Sequence, residues 1–262
     1  MESTVFKIAT FNANSIRMRM PIILKWLDQH RPDVLAIQET KVQDADFPQE
    51  AFTQQGWKVI FRGQKSYNGV SLISRSDPQK IETLLFPDSV QEEARFIAAT
   101  FGKIRVVNTY IPQGFQIESE KYQFKLNYFR RLQEYFHQTI SRTQCALWLG
   151  DLNVAPTEID LYDPLHNQNH VCFHSEVRQV FEKTKGSTWI DLFREKEKGP
   201  GHYTFWDYRQ PMNFELNRGW RIDHILGTES MRQLLKSIWI DKEPRSAAKA
   251  SDHTFLVAEF LI

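Results

Sequence analysis

The chain has 262 residues, 33 Lys plus Arg against 32 Asp plus Glu, 41% hydrophobic residues and two cysteines. A chain of that length buries a large core, and a mixed composition with 25% charged residues excludes a disordered or collagen-like polypeptide. Two thiols exclude a disulfide framework and a four-thiolate zinc site, and a net charge of +1 argues against a general polyanion binder, so any grip on a phosphate backbone must be local.

The first residues lead straight into the strand pattern VFKIATF, without a basic segment followed by an apolar one. Together with the few cysteines, this points to a reducing, cytoplasmic setting, at the nucleoid if the source is bacterial. Pro21 is expected in the first turn of a helix that runs through Ile22, Ile23, Trp26 and Leu27 and breaks at Arg31 and Pro32. The strand patterns DVLAIQ, WKVIF, GVSLIS, IETLLF, RFIAATF and IRVVNTY follow. The longest helix is expected from about Glu118 to Ser141, where Phe129, Leu132, Phe136 and Ile140 form a stripe at helical spacing. CALWLGD returns to strand, with Cys145 as a small buried thiol, and HYTFW, RIDHIL, SIWI and FLVAEF close the chain. No apolar run approaches the roughly 20 residues that cross a bilayer. With no linker and no repeat, the reading is one α/β domain over residues 1–262: two mixed β-sheets packed face to face, flanked by helices, acting as a monomer.

What distinguishes the chain is the polar residue that ends one apolar strand after another. Asn12 follows VFKIATF, Glu39 follows DVLAIQ, Tyr110 ends IRVVNTY, and Asp151 with Asn153 ends CALWLGDLN. Asp223 lies inside WRIDHIL, and Asp252 with His253 precedes TFLVAEF. Each has a structural alternative: Asp151 and Asn153 suit a turn before Pro156, Glu39 a solvated strand end, and Asp252 and His253 a loop. Together they offer carboxylates, amides, a phenol and one imidazole, without a Cys and His cluster at zinc spacing. That inventory suits Mg²⁺ or Mn²⁺.

The blocks FNANSIR, QETK, GQKSYNGV, NTYIPQG, GDLNVAP, TFWDYR, NRGWRIDHIL and SDH, in this order from end to end, resemble the exonuclease III family of abasic-site endonucleases, within the endonuclease, exonuclease and phosphatase superfamily. The resemblance implies that family's four-layered α/β sandwich. It implies a metal-dependent DNA repair phosphodiesterase that cleaves duplex DNA 5′ to abasic sites and leaves a 3′ hydroxyl. By similarity, Glu39, Asn12 and Asp252 form the metal site, and Asp151 orients and deprotonates the attacking water. Asn153 and Tyr110 contact the phosphate, and His253, partnered by Asp223, meets its opposite side. Phe205, Trp220 and Ile222 would line a pocket for the flipped-out abasic sugar, with Trp206 beside it. Arg17, Lys41, Lys65, Tyr67, Asn68, Gln113, Arg209, Arg218 and Arg221 are candidates for contact with the DNA backbone.

Three departures from the family pattern stand out. Thr254 and Phe255 follow SDH where a small residue and Pro are usual, Val180 or Phe181 replaces a customary Trp, and the segment Asp163 to His174 is short and carries His166, His170 and His174. That last loop is placed to shift the balance between internal incision and end-trimming. The alternative reading is an enzyme acting mainly as a 3′-5′ exodeoxyribonuclease or 3′-phosphodiesterase. Phosphoesterases for inositol phosphates or sphingolipid head groups would have no use for TFWDYR and NRGWRID, and an inactive DNA-binding protein should have lost catalytic residues.

Overall fold

The computed structural model describes residues 4–85 and 92–262. In chain order its strands are β1 (Val5–Asn12), β2 (Val34–Gln38), β3 (Lys58–Arg62), β4 (Val70–Ser74), β5 (Gln79–Glu82), β6 (Phe96–Phe101), β7 (Ile104–Tyr110), β8 (Ala146–Asp151), β9 (Ile190–Asp191), β10 (Asp223–Gly227), β11 (Leu235–Asp241) and β12 (Phe255–Leu261). They form two six-stranded sheets, ordered β11-β12-β1-β2-β4-β3 and β5-β6-β7-β8-β10-β9. Each sheet is mixed because each holds one parallel pair, β1 with β2 and β7 with β8, among antiparallel neighbours. The helices are α1 (Ile16–His30), α2 (Gln49–Thr53), α3 (Glu120–Thr139), α4 (Ser175–Lys185), α5 (Leu192–Lys196) and α6 (Glu229–Leu234). None of the described helices is long and apolar enough to cross a membrane.

The central strands read as nearly continuous apolar runs because both of their faces are covered. Successive side chains point to opposite faces, so Ile8 of β1 enters the layer between the sheets while Ala9 and Phe11 face α1. The middle layer joins Val34, Ala36 and Leu72 to Val106, Leu147, Leu149 and Ile225. Outside the first sheet, Ile23, Trp26 and Leu27 of α1 pack on Phe11, Leu35 and Phe255, with Phe255 stacked between Phe11 at 4.0 Å and Trp26 at 4.2 Å. Outside the second, Phe129, Leu132 and Phe136 of α3 and Phe181 of α4 pack on Trp148. Helix, sheet, sheet, helix is the four-layered sandwich. Each fully buried Leu or Phe in these layers contributes about 1.5–3 kcal/mol.

Two of the departures become packing details. Phe255 completes the aromatic stack, and Val180 and Phe181 are buried in the outer core. Other local expectations need correction. The first helix starts at Ile16 and carries Pro21 as its sixth residue, on an exposed position past the first turn, where it removes the i→i−4 donor to the Arg17 carbonyl. Arg31, in the left-handed conformation, closes that helix by donating its N–H to Leu27, and Pro32 prevents continuation. Ser119 caps α3 by accepting from the Tyr122 amide at 3.2 Å, so the helix starts two residues after Glu118 and ends at Thr139. HYTFW is not a strand of either sheet; Phe205 alone bridges to Trp220 and His253. Phe86 of IETLLF lies outside the described residues, and strand pairing there covers Gln79–Glu82. Cys145 is half-buried.

Candidate active site

The C-terminal ends of β1, β2, β7 and β8 and the N-terminal ends of β10 and β12 meet on one rim. In the second sheet, Tyr110, Asp151 and Asp223 are cross-strand partners in one row over β7, β8 and β10, so their side chains share a face. Gly150 makes that row possible: at φ +134° a Cβ there would lie 2.0 Å from the Thr109 carbonyl oxygen, so any larger residue would push β8 away from β7 just before Asp151. Glu39 at φ 50° and Asn153 at φ 47° sit in the left-handed region, a conformation that costs about 1–2 kcal/mol for residues with a Cβ. The chain turns sharply at both points and keeps their side chains on the rim.

Asn12 joins the two sheets. Its Nδ2 donates to Glu39 Oε1 and to Asp151 Oδ2, both at 2.8 Å. The Asn153 amide donates to Asp151 Oδ1 at 3.0 Å, and its side-chain Nδ2 donates to the Ile111 carbonyl at 3.0 Å. His253 Nδ1 lies 2.8 Å from Asp223 Oδ2, while its Nε2 lies 3.8 Å from Asp151 Oδ2. Lys41 forms an ion pair with Glu39 at 2.7 Å. Asp252 joins through a residue that sequence reasoning left out of the site: Asn14 donates to Asp252 Oδ1 at 3.0 Å and to the Tyr208 hydroxyl at 3.2 Å, and it accepts from Lys41. The available signal was its position two residues beyond Asn12. Ser251, also unforeseen, donates to the Asn12 carbonyl at 2.8 Å and accepts from the His253 amide.

The electrostatics follow from crowding carboxylates under one rim. Burial lifts the Asp151 proton affinity well above the usual carboxylate range; the charge of His253 opposes that rise, and the anions Asp223 and Glu39 add to it. Burial opposes a charged His253, yet Asp223 and Asp151 together raise its pKa to about 10, so the imidazole is a cation at neutral pH. For Glu39, burial is outweighed by Lys41 and by the Asn12 hydrogen bond, which hold it below the ordinary range. Tyr110 is pushed far up, first by burial and then by Glu39 and Asp151, and stays a phenol. Asp223 Oδ1 is buried without a hydrogen-bond partner. Ligand atoms of Asp151, Asp223 and His253 lie within 4.8 Å of one another. A surplus of carboxylate oxygen, with no thiolate, fits a hard divalent cation.

A family model for the endonuclease/exonuclease/phosphatase family matches residues 9–253. The chain belongs to that family. It is 30% identical to exodeoxyribonuclease III of Haemophilus influenzae over 97% of this chain and 99% of the relative. Among solved structures it is similar to an AP endonuclease from Archaeoglobus fulgidus, with a TM-score of 0.95 and 42% identity over 98% of this chain and 100% of the other. It is also similar to the 3′-5′ exonuclease NExo from Neisseria meningitidis, with a TM-score of 0.95 and 36% identity over 98% and 100%. The two-sheet architecture is the one these family structures share.

Around this family's rim, the remaining expected residues divide by exposure. Phe205 and Trp220 are half-buried and bridged to each other, with the Phe205 ring 4.9 Å from His253 and the Trp220 ring 4.6 Å from His170. Ile222 lies beneath them at 5% exposure. Trp206 needs correction: at 0% exposure, enclosed by Phe214, Lys242 and Arg245, it backs the wall and does not line it. Arg221 needs a larger one. Its side chain is fully buried and forms ion pairs with Asp160 and Asp191, each at 2.7 Å, so it has no reach to a DNA backbone. Arg17, Lys65, Gln113 and Arg218 are exposed, and Tyr67 is 70% exposed. Arg209 is exposed but paired with Asp207 at 2.7 Å, Lys41 is committed to Glu39, and Asn68 is nearly enclosed. In the departing loop, His166 pairs with Asp163, His174 lies 3.1 Å from the Tyr122 hydroxyl, and only His170 faces the aromatic wall.

Proposed function

We propose that this protein is a DNA repair phosphodiesterase that cleaves duplex DNA on the 5′ side of abasic sites, leaving a 3′ hydroxyl, and that the same site trims and cleans 3′ ends. The observation that carries the reading is the array Asp223, His253 and Asp151, joined through Asn12 to Glu39 of the other sheet. Phosphodiester hydrolysis needs an activated water, charge neutralised on phosphorus and a stabilised leaving oxygen.

Asp151, with its raised proton affinity, is the general base that takes the proton from water. Asn153 fixes that carboxylate through its backbone amide at Oδ1 and its side-chain Nδ2 at Oδ2, and would contact the phosphate by turning Nδ2 away from the Ile111 carbonyl. His253 is held as a cation by Asp223 and stabilises the negative charge that grows in the transition state. Tyr110, kept protonated, donates to a phosphate oxygen. Glu39, Asn12 and Asp252 would hold Mg²⁺ or Mn²⁺, which supplies further charge neutralisation at the phosphate when bound. Phe205, Trp220 and Ile222 offer an apolar wall to a sugar that lacks its base, and a complete nucleotide would be rejected for size. Arg17, Lys65, Tyr67, Gln113 and Arg218 grip the backbone without reading sequence. The site draws on both sheets, so residues 1–262 act as one catalytic unit, a monomer working on cytoplasmic or nucleoid DNA.

One observation favours the reading as mainly a 3′-5′ exonuclease or 3′-phosphodiesterase: the His170 ring leans on Trp220 at 4.6 Å, tilted by 45°, and occupies one side of the proposed sugar wall. A duplex carrying a single stable abasic analogue, an undamaged duplex and one with a blocked 3′ end, each with Mg²⁺ and with chelator, separate the two. Metal-dependent incision immediately 5′ of the lesion supports the first reading. Preferential trimming of the blocked end supports the second, and no cleavage of any of the three overturns both.

A further inference from the structure

Behind the rim lies a charged side chain that the proposed reaction does not use. Lys125 of α3 is completely buried, and among the described residues no carboxylate lies within ion-pair distance of it, Asp151 attracting it only from further off. Its ammonium donates instead to three backbone carbonyls, of Asn153 at 2.7 Å, Val171 at 2.7 Å and Gln113 at 3.0 Å. An ammonium has three N–H donors, matched by these three carbonyls, with the Cys172 sulfur a longer fourth neighbour at 3.8 Å. The acceptors belong to three separate segments: the turn after β7, the turn after β8 and the short loop before α4. Gly114, at φ +101°, leaves room for the lysine stem, since a Cβ there would sit 3.2 Å from Lys125 Cδ. The same segments are cross-linked around the ammonium by Ala155 N–H to the Cys172 carbonyl at 2.7 Å and by Asn153 Nδ2 to the Ile111 carbonyl. Burying a charge without a counterion is costly unless it is hydrogen-bonded, so the three carbonyls are what keep this ammonium in place.

We infer that Lys125 is a positioning residue: by tying these three segments to one point, it holds Asn153 against Asp151 and keeps the loop carrying His170 seated over Trp220. It rests on the proposed function, because Asn153 and Asp151 are its effectors, and it acts through them without touching substrate. A misplacement of about 1 Å at a reacting group costs up to about a hundredfold in rate. Lys125→Met keeps the stem and removes the three bonds. Lys125→Arg keeps the charge, but its planar fork cannot bring one nitrogen to three carbonyls.

In both variants kcat on the best-cleaved DNA substrate is expected to fall roughly ten- to a hundredfold while KM moves less than roughly threefold. Amide hydrogen exchange at 153–155 and 171–173 should speed up while the β7 and β8 amides stay protected. A folded variant of either kind with kcat within about twofold of the parent overturns the inference. If Lys125→Met does not fold, Lys125→Arg decides; if neither folds, Lys125 is a stability element and the inference fails as well. Should the parent protein cleave no DNA, the proposed function falls, while the exchange measurement still judges the clamp by itself.

Discussion

Two buried charge clusters sit two residues apart at the start of β10, and they are built on opposite principles. Arg221 enters a closed network in which Asp160 and Asp191 face Arg221 and Arg194, two anions against two cations. Asp160 is satisfied further by Thr157, at 2.9 Å from its amide and 2.7 Å from its hydroxyl. Although burial works against ionisation, the arginines hold both carboxyls below their ordinary range. Asp223, two residues on, enters the rim. There, among the described residues, the ion pairs of Glu39, Asp151, Asp223 and Asp252 are made with His253 and Lys41, Arg245 acts on Asp252 from further off, and Asp151 is driven upward. A balanced buried cluster holds a fold together. An unbalanced one is left short of positive charge, and a cation and a proton in transfer can complete it.

The sharpest way to break this contrast is to neutralise one anion on the rim. Asp151→Asn should lower kcat by about 10²–10⁴ while DNA binding and melting temperature are retained, because the rim holds more carboxylates than cations and loses one of the surplus. An active Asp151→Asn variant would take the base role away from Asp151. The same operation in the closed network should do the reverse. Arg221→Met strands two buried carboxylates and should cost about 3–5 kcal/mol of stability in urea titrations, with activity lost only in step with the fold.

Acid separates the clusters again. His224 accepts from Arg221 at 3.0 Å and lies 2.8 Å from the Val154 carbonyl; burial and then the charge of Arg221 lower its pKa to about 4. A histidine held neutral in the fold but free to protonate when unfolded makes stability fall as pH drops from about 6.5 to about 4, by up to about 3 kcal/mol. The carboxyls of Asp160 and Asp191, with folded pKa values below the unfolded ones, still contribute through that window and are lost only at lower pH. Chemical denaturation at several pH values reads both limbs. On the rim, His253 must keep its proton, so cleavage should decline near pH 10. Asp223→Asn should bring that decline down by about one to three pH units. The smallest expected effect belongs to the outer grip: Lys65→Ala should reduce the salt slope of DNA binding by about one and leave kcat nearly unchanged.

The sandwich was legible because its strands are apolar on both faces and its helices carry stripes at helical spacing, as in Phe129, Leu132 and Phe136. The site was legible because Asn12, Glu39, Tyr110, Asp151 and Asp223 are polar residues at strand ends, where a core has no use for them. Arg221 misled because a basic residue beside Trp220 looks identical in sequence whether it faces DNA or two buried aspartates, and Asp160 and Asp191 lie 61 and 30 residues away. Lys125 was invisible for a related reason. Its acceptors are backbone carbonyls, which leave no trace in residue identity.

β12 pairs with β1 along its length, from Val5 opposite Leu261 to Thr10 opposite Leu256, and His253 lies just ahead of it. The two flanks of the rim therefore come from segments far apart in the chain, Ser251 bonding Asn12 across 239 positions. During translation, the ribosome releases Asn12, Glu39 and Asp151 long before the histidine that faces them. A chain synthesised only as far as Asp223 holds most of the charged cluster but lacks the imidazole that pairs with Asp223 and Asp151.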